Sequence, residues 1–436
     1  MPAQPGRPQS LGWSPWRAVV GFGLVSLAAD MVYEGARSIT GPLLASLGAS
    51  AVLVGVVTGA GEATALVLRL LTGSWADRSA RYWSLTLGGY AMTAVCVPAL
   101  ALTPFLGPAG LATACSLVIL ERAGKAVRSP AKSTLLAYAS GPVGLGRGFG
   151  VHKALDQIGA FAGPLLVAGV VALSGAIWPA MALLALPGVA AMFLLVRMRA
   201  RVGEPDHAES AAAAGPAPAV SAVGLAGTVR DLPGTFWRFA AAAGLTTAGL
   251  VTFGVISYHL VRDDVMAVAA VPVVYAAAMA AAAVAALASG WLYDRWGARA
   301  LLVLPFLVTA VPALAFAATW PPVLGGILLW GAATGIHDST VKAIVADLVP
   351  AARRATGFGL FAAVQGSAAL AGGALAGALY SRSVPALVAV VAVLQGAALV
   401  LLVRTLRDAR SAAGPPPGRS QPPPARQVPP EDRPGE

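Results

Sequence analysis

Twelve apolar runs of about twenty residues, separated by short polar breaks, occupy most of this 436-residue chain. A bilayer's hydrocarbon core is about 30 Å thick and offers the backbone no hydrogen-bond partners, so a run of that length crosses it as a helix. The runs lie near 17–47, 51–73, 84–104, 108–129, 148–174 and 177–197, then near 236–260, 266–290, 300–319, 322–346, 355–380 and 384–403. They predict an all-α polytopic membrane protein. Composition agrees: 57% of residues are hydrophobic and 11% charged, where a soluble domain carries about 25% charged residues. A soluble enzyme is excluded on that ground.

The polar breaks divide the runs into two sixes. Residues 197–235 contain AESAAAAGPAPAVSA, a small-residue and proline-bearing stretch with little to bury, and read as a flexible linker. The N-terminal tail, 1–16, and the tail 404–436 are proline-rich and are expected to be disordered. Two six-helix bundles, 17–196 and 236–403, remain. The first apolar run is far longer than a signal-peptide core, so no cleavable signal is expected.

Lys and Arg outside the runs fall on the tails, the linker and the even-to-odd loops, whereas the opposite loops hold only Arg262 and Arg382. The positive-inside rule then places both termini and the linker in the cytoplasm, in a multi-pass protein of the inner or plasma membrane. The net charge of +11 reports this orientation and not a nucleic-acid partner. Cys96 and Cys115 lie inside apolar runs without metal-like spacing and read as small hydrophobes.

The two sixes repeat one another. GSWADRSAR begins at Gly73 and GWLYDRWGAR at Gly290, each in a short turn on the basic side and each reading Gly-x-x-x-Asp-Arg. GFG at 148–150 returns at 357–359, an offset of 209 that also sets Gly163 on Gly372. Two echoes in the same order indicate duplication of a six-helix unit, which is common in secondary transporters. A carboxylate such as Asp77 beside Arg78 can cap a helix or pair with an arginine, and a polar clamp of this kind can hold a gate shut.

These features resemble the major facilitator superfamily over 17–403, and within it the drug/proton-antiporter branch. Gly73, Asp77, Arg78 and Arg81, mirrored by Gly290, Asp294 and Arg295, resemble its gating turn, although Trp75 and Ala80 depart from the family's residues there. GAFAGP, with Gly159, Gly163 and Pro164, resembles the helix-five motif of proton antiporters, and Arg122 in ERAGK resembles the helix-four arginine near the substrate and proton path. The resemblance implies two pseudo-symmetric bundles, a central path lined by the first, fourth, seventh and tenth helices, and alternating access.

Ionisable groups at membrane depth are costly unless paired or hydrated, so each is a candidate for function. Asp30, Glu34 and Arg37 share one helix face at i, i+4 and i+7, bordered by Tyr33; Glu62 lies near the middle of the second run. The fourth run adds Glu121, Arg122, Lys125 and Arg128, the fifth His152, Lys153 and Asp156, and the tenth His337, Asp338 and Lys342. Glu34–Arg37 and Glu121–Lys125 are spaced to pair within their own helices, while Arg69, Arg128 and Lys153 read as snorkelling or gating residues near the basic surface. Asp30, Glu34, Arg37, Glu62, Glu121, Arg122, His337 and Asp338 form the expected proton and substrate path. The seventh and eighth runs, with small residues such as Gly244, Ala248 and Thr252, read as packing surfaces.

The expectation is therefore a monomeric secondary transporter that moves a small-molecule substrate by alternating access, coupled to protons and directed outward. Proton-coupled uptake of an anionic or metal-chelating molecule is the alternative, and a membrane sensor without transport is the competing class. No His-Glu-x-x-His, Gly-x-Ser-x-Gly or phosphate-binding loop is present. No catalytic residue, metal or cofactor is expected, and the lipid bilayer is the only large partner.

Overall fold

A computed structural model describes residues 12–79, 81–202, 232–349 and 354–412. Most of the expected disordered tails and of the linker lie outside these residues, but 404–412 is helical, a correction to the expected C-terminal tail. In the first half the helices are α1 (Pro15–Ser46), α2 (Ala51–Ser79), α3 (Tyr82–Ala99), α4 (Gly110–Ser140), α5 (Leu145–Ser174), α6 (Trp178–Leu183) and α7 (Ala185–Val202). In the second they are α8 (Gly234–Gly249), α9 (Phe253–Arg262), α10 (Val271–Trp296), α11 (Leu304–Ala315), α12 (Trp320–Leu348), α13 (Arg354–Tyr380) and α14 (Val384–Ala412).

Because α6 runs on into α7, and α8 into α9, these helices make twelve legs. Nine helical runs among the described residues are long and apolar enough to cross a membrane, and one of them, Val268–Ala315, holds two legs. The legs outside that set are α4 and α12, which carry charged residues. The arrangement is an all-helical membrane fold, as the apolar runs predict.

Several helices run past the ends set by the apolar runs. α4 continues from the predicted end at 129 to Ser140, through Pro130. Its polar tail interrupts the apolar run but keeps one apolar face: Ala131, Leu135, Leu136 and Ala139 are buried at helical spacing. α7 similarly reaches Val202 and α14 Ala412, beyond 197 and 403. The seventh leg departs the other way. It is broken at 250–252 between α8 and α9, and the Val251 carbonyl at the break accepts a hydrogen bond from the Trp330 indole at 2.8 Å.

The duplication is visible in the packing. α5 lies along α1, and α13 lies along α8 in the other half. A Cβ added to Gly163 would land on the Met31 backbone of α1, and one added to Gly372 would land on the Ala248 backbone of α8. The pair that the offset of 209 aligns in the sequence thus does the same work in each bundle. Gly159 meets Leu27 in the same way, so two of the glycines in GAFAGP are sites of close helix approach.

The halves meet along α2 and α13, where Gly55 faces Gly373, Gly59 faces Ala369, and Gly377 faces Ala51, all backbone to backbone. Further contacts join α1 to α9 and α5 to α10. Gly41 of α1 lies against Gly254 and Ser257 of α9, which closes the halves together at the end away from the basic loops. At the basic end the side chains of Lys153 of α5 and Asp338 of α12 are 66% and 70% exposed.

A valine at Gly163 or Gly372 should separate the paired helices and destabilise the protein by about 1–3 kcal/mol. Thermal unfolding in detergent measures this. Gly169→Ala, at a glycine with open space around it, should leave the transition where it is.

Candidate functional site

The polar residues of α1, α2 and α4 converge in the first bundle, at its face toward the second. Arg37 Nη2 donates to Glu62 Oε1 at 2.9 Å, and Arg122 Nη1 stands 3.6 Å from the same oxygen. Arg37 also lies 3.8 Å from Glu34. The i, i+3 pairing expected within α1 is thus present, but the stronger partner comes from α2. A single leg cannot neutralise its own charges at this depth, and the three legs do so jointly.

Glu121 and Arg122 point in different directions from adjacent positions. Glu121 is 5% exposed, and it accepts from Thr93 at 3.1 Å and pairs with Arg128 at 4.0 Å and Arg122 at 3.6 Å. Arg128 donates to Thr93 at 2.6 Å and is itself buried. This corrects the reading of Arg128 as a snorkelling surface residue, since α4 continues as helix beyond it and α3 covers it. The expected Glu121–Lys125 pair does not form: Lys125 Nζ stands instead 3.6 Å from the centre of the Tyr33 ring. Arg122 donates to the Tyr33 hydroxyl and lies over the same ring at 4.4 Å. With Arg37 at 6.0 Å as well, Tyr33 is an aromatic platform for three cations.

Two hydrogen bonds cross between the halves here. The Tyr275 hydroxyl of α10 donates to Glu34, and Thr58 of α2 bonds Thr252 at 2.8 Å. Thr252 sits at the break in the seventh leg, which also brings Phe253 and Gly254 to a small cavity lined by Arg37, Glu62 and Arg122. The seventh leg is thus more than the packing surface its composition suggests. Gly244 and Ala248 do pack against α13, while the residues at the break face the cavity. Discontinuous helices of this kind recur at transporter sites, because freed backbone groups can line a cavity. Phe253, Tyr275 and Trp330 pack as an aromatic wall, with Phe253 4.6 Å from Tyr275 and 5.3 Å from Trp330.

The remaining expected path residues lie elsewhere. Asp30 is within hydrogen-bonding reach of Asp156, which Lys153 holds at 2.6 Å; this is a second cluster nearer the basic end. Beside it His152 bonds Ser26 at 2.9 Å. His337 joins three legs of the second bundle, bonding Thr247 at 3.1 Å and Gln365 at 2.9 Å, so it packs away from the arginines. Asp338 is 70% exposed by side chain.

The residues of the two repeated turns also sit at the basic end. Gly73 and Gly290 lie within α2 and α10, Arg81 precedes α3, and Arg78, Asp294 and Arg295 are exposed. Arg295 stacks on Trp291 at 5.6 Å. Among the described residues, none of these four charged groups pairs with the opposite half. The side chains of Asp77 and Lys342 lie outside the description. Thr40, Thr58, Phe253 and Gly254 are lining residues that charge patterning misses; the one available signal is the cluster of β-branched and glycine residues at 246–254, which marks the broken leg.

The family model of the Major Facilitator Superfamily matches residues 254–431. An uncharacterized protein of Mycobacterium tuberculosis is 52% identical over 391 residues, covering 89% of this chain and 93% of its own length. The fold matches a mutant form of the nucleoside transporter NupG with a TM-score of 0.70 at 15% identity, covering 89% of this chain and 99% of that one. It matches a peptide transporter in complex with sulfate with a TM-score of 0.67 at 17% identity, covering 91% and 94%.

Glu121→Ala should cost about 3–5 kcal/mol, because it strands buried Arg128 without its counter-charge. Asp338→Asn, at an exposed position, should change stability by less than about 0.5 kcal/mol. Thermal unfolding of the purified variants tests both.

Proposed function

We propose that the chain is a member of the major facilitator superfamily and a proton-coupled secondary transporter of a small solute, working by alternating access. The observation that carries the reading is the pair of hydrogen bonds across the halves, Tyr275 to Glu34 and Thr58 to Thr252, beside an ionic cluster at membrane depth. A site shared by two bundles is remade whenever the bundles rock. A carboxylate such as Glu34, bonded to the other half only while the halves are closed over it, couples its charge to that motion.

The cluster also supplies the proton chemistry. Glu34, Glu62 and Glu121 share a low-dielectric region with Arg37, Arg122 and Arg128, where gain of a proton by one carboxylate frees its arginine partner. GAFAGP supports the outward direction, as a drug/proton antiporter. A second reading, uptake of an anionic or chelating molecule, is favoured by the convergence of Arg37 and Arg122 on one cavity. The distribution of Lys and Arg supports cytoplasmic termini in the cytoplasmic membrane. Proton coupling also separates this proposal from a non-transporting sensor.

Reconstituted protein should acidify or alkalinise the vesicle lumen when a transported solute is added. Glu34→Gln should reduce that signal at least about tenfold, which is about 1.4 kcal/mol of coupling. Inside-out and right-side-out vesicles decide between efflux and uptake. No solute-linked proton movement across a panel of drugs, siderophores and metabolites, with Glu34→Gln indistinguishable from the parent, would sink the proposal.

A further inference from the structure

The seat between Arg37 and Arg122 is filled by the protein itself. One oxygen, Glu62 Oε1, takes both guanidiniums, at 2.9 and 3.6 Å. The other two carboxylates of the cluster have neutral partners as well, Tyr275 for Glu34 and Thr93 for Glu121. Among the described residues Glu62 is held by the two arginines alone. It is also the most accessible member of that trio, with its side chain 32% exposed against 24% for Arg37 and 10% for Arg122. All three line the same cavity, together with the hydroxyl-bearing Thr40, Thr58 and Thr252.

We propose that Glu62 is a tethered stand-in for an anionic group of the substrate, and that a carboxylate or phosphate of the transported solute takes its place between Arg37 and Arg122 as Glu62 becomes protonated. This rests on the transporter reading in its second form, proton-coupled uptake of an anionic molecule, and names the class of solute its site accepts. Charge balance is the argument. An empty seat would leave two cations at membrane depth without a counter-ion, which is strongly unfavourable. Exchanging one anion for another avoids that state. Once Glu62 takes a proton it no longer competes, and the cluster's net charge is the same before and after a monoanion enters.

The charged groups around Glu62 are Arg37 of α1, Arg122 and Lys125 of α4, and Arg69 of its own helix. The same two arginines also face carboxylates, Glu34 at 3.8 Å from Arg37 and Glu121 at 3.6 Å from Arg122, and Asp338 of α12 acts on Arg37 and Arg69 from the second half. The part of the second half that lines the cavity, Thr252 to Gly254, is uncharged. Because Glu62 is the carboxylate seated between the two arginines, a second anion enters that seat only as Glu62 gives up its charge. Anion binding and proton uptake are thereby linked, one proton for each monoanion.

The test uses the full chain in detergent, with benzoate and inorganic phosphate as probes and chloride as the ionic-strength control. Calorimetry in buffers of different ionisation enthalpy should show about one proton taken up per benzoate bound, with affinity weakening about tenfold per pH unit where Glu62 must be protonated. Glu62→Gln should bind both probes at least about tenfold more tightly at neutral pH and lose the proton uptake. Phosphate should also raise the unfolding temperature of Glu62→Gln more than that of the parent. Arg122→Gln should weaken probe binding at least about tenfold in the Glu62→Gln background.

The inference is overturned if neither probe binds the parent better than chloride, or if Glu62→Gln leaves affinity and proton uptake as they were. Should Glu62→Gln fail to fold, Glu62→Asp keeps the test open: a shorter carboxylate reaches the seat less well, so probe affinity should rise and the proton linkage should persist. Unchanged affinity in Glu62→Asp would again overturn it. Because binding is read without vesicles, anion binding without solute movement would refute the transporter reading and leave the anion seat standing; proton-coupled movement of neutral solutes alone would do the reverse.

Discussion

Every charge placed in hydrocarbon has to be neutralised by a neighbour, and in this protein the neighbours are partly on other legs. Glu62 of α2 serves arginines of α1 and α4, whereas Glu121 pairs with Arg122 and Arg128 of its own α4 and takes a hydrogen bond from Thr93 of α3. Moving any one of these legs outward would expose an ion to lipid at a cost of several kcal/mol. The first bundle is therefore held as a unit by ionic sharing, over and above its packing. The second bundle has no comparable cluster among its described residues. Its central contacts are neutral, with His337 linking Thr247 and Gln365.

That asymmetry assigns different work to two halves built on one plan. The shared plan is in the backbone, where Gly163 and Gly372 bring equivalent helices together. The first half carries nearly all the ionic chemistry. The second meets it with Tyr275, Thr252 and the aromatic wall of Phe253 and Trp330. The cavity where they meet has the ionic residues Arg37, Glu62 and Arg122 from the first half and Thr252, Phe253 and Gly254 from the second.

The helical architecture is legible in the sequence because a bilayer permits only one cheap solution for an apolar run of twenty residues. The candidate ionic residues are legible for the same reason: Glu34, Arg37, Glu62, Glu121 and Arg122 stand out against an apolar background. Their partners are harder to read. Pairing of Arg37 with Glu62 instead of mainly with Glu34 depends on how α1 and α2 are rotated, and helix rotation leaves no mark in a nearly uniform apolar surface. The burial of Arg128 escapes the hydropathy pattern because α4 outlasts its own apolar run. The break at 250–252 escapes the hydropathy pattern too, and only the β-branched and glycine residues at 246–254 hint at it.

Where α2 meets α13, the surfaces that touch are main chain: Gly55 on Gly373, Gly59 beside Ala369, Gly377 on Ala51. Interlocked side chains would act as gear teeth, and each step of one helix past the other would require a set of rotamers to disengage. Bare backbone has no teeth. This seam is a plain bearing, smooth at the scale of a methyl group, on which the two bundles can tilt while staying in contact and sealed against leakage. The mobility that the proposed alternating cycle demands is thus built into a backbone-to-backbone seam between the halves.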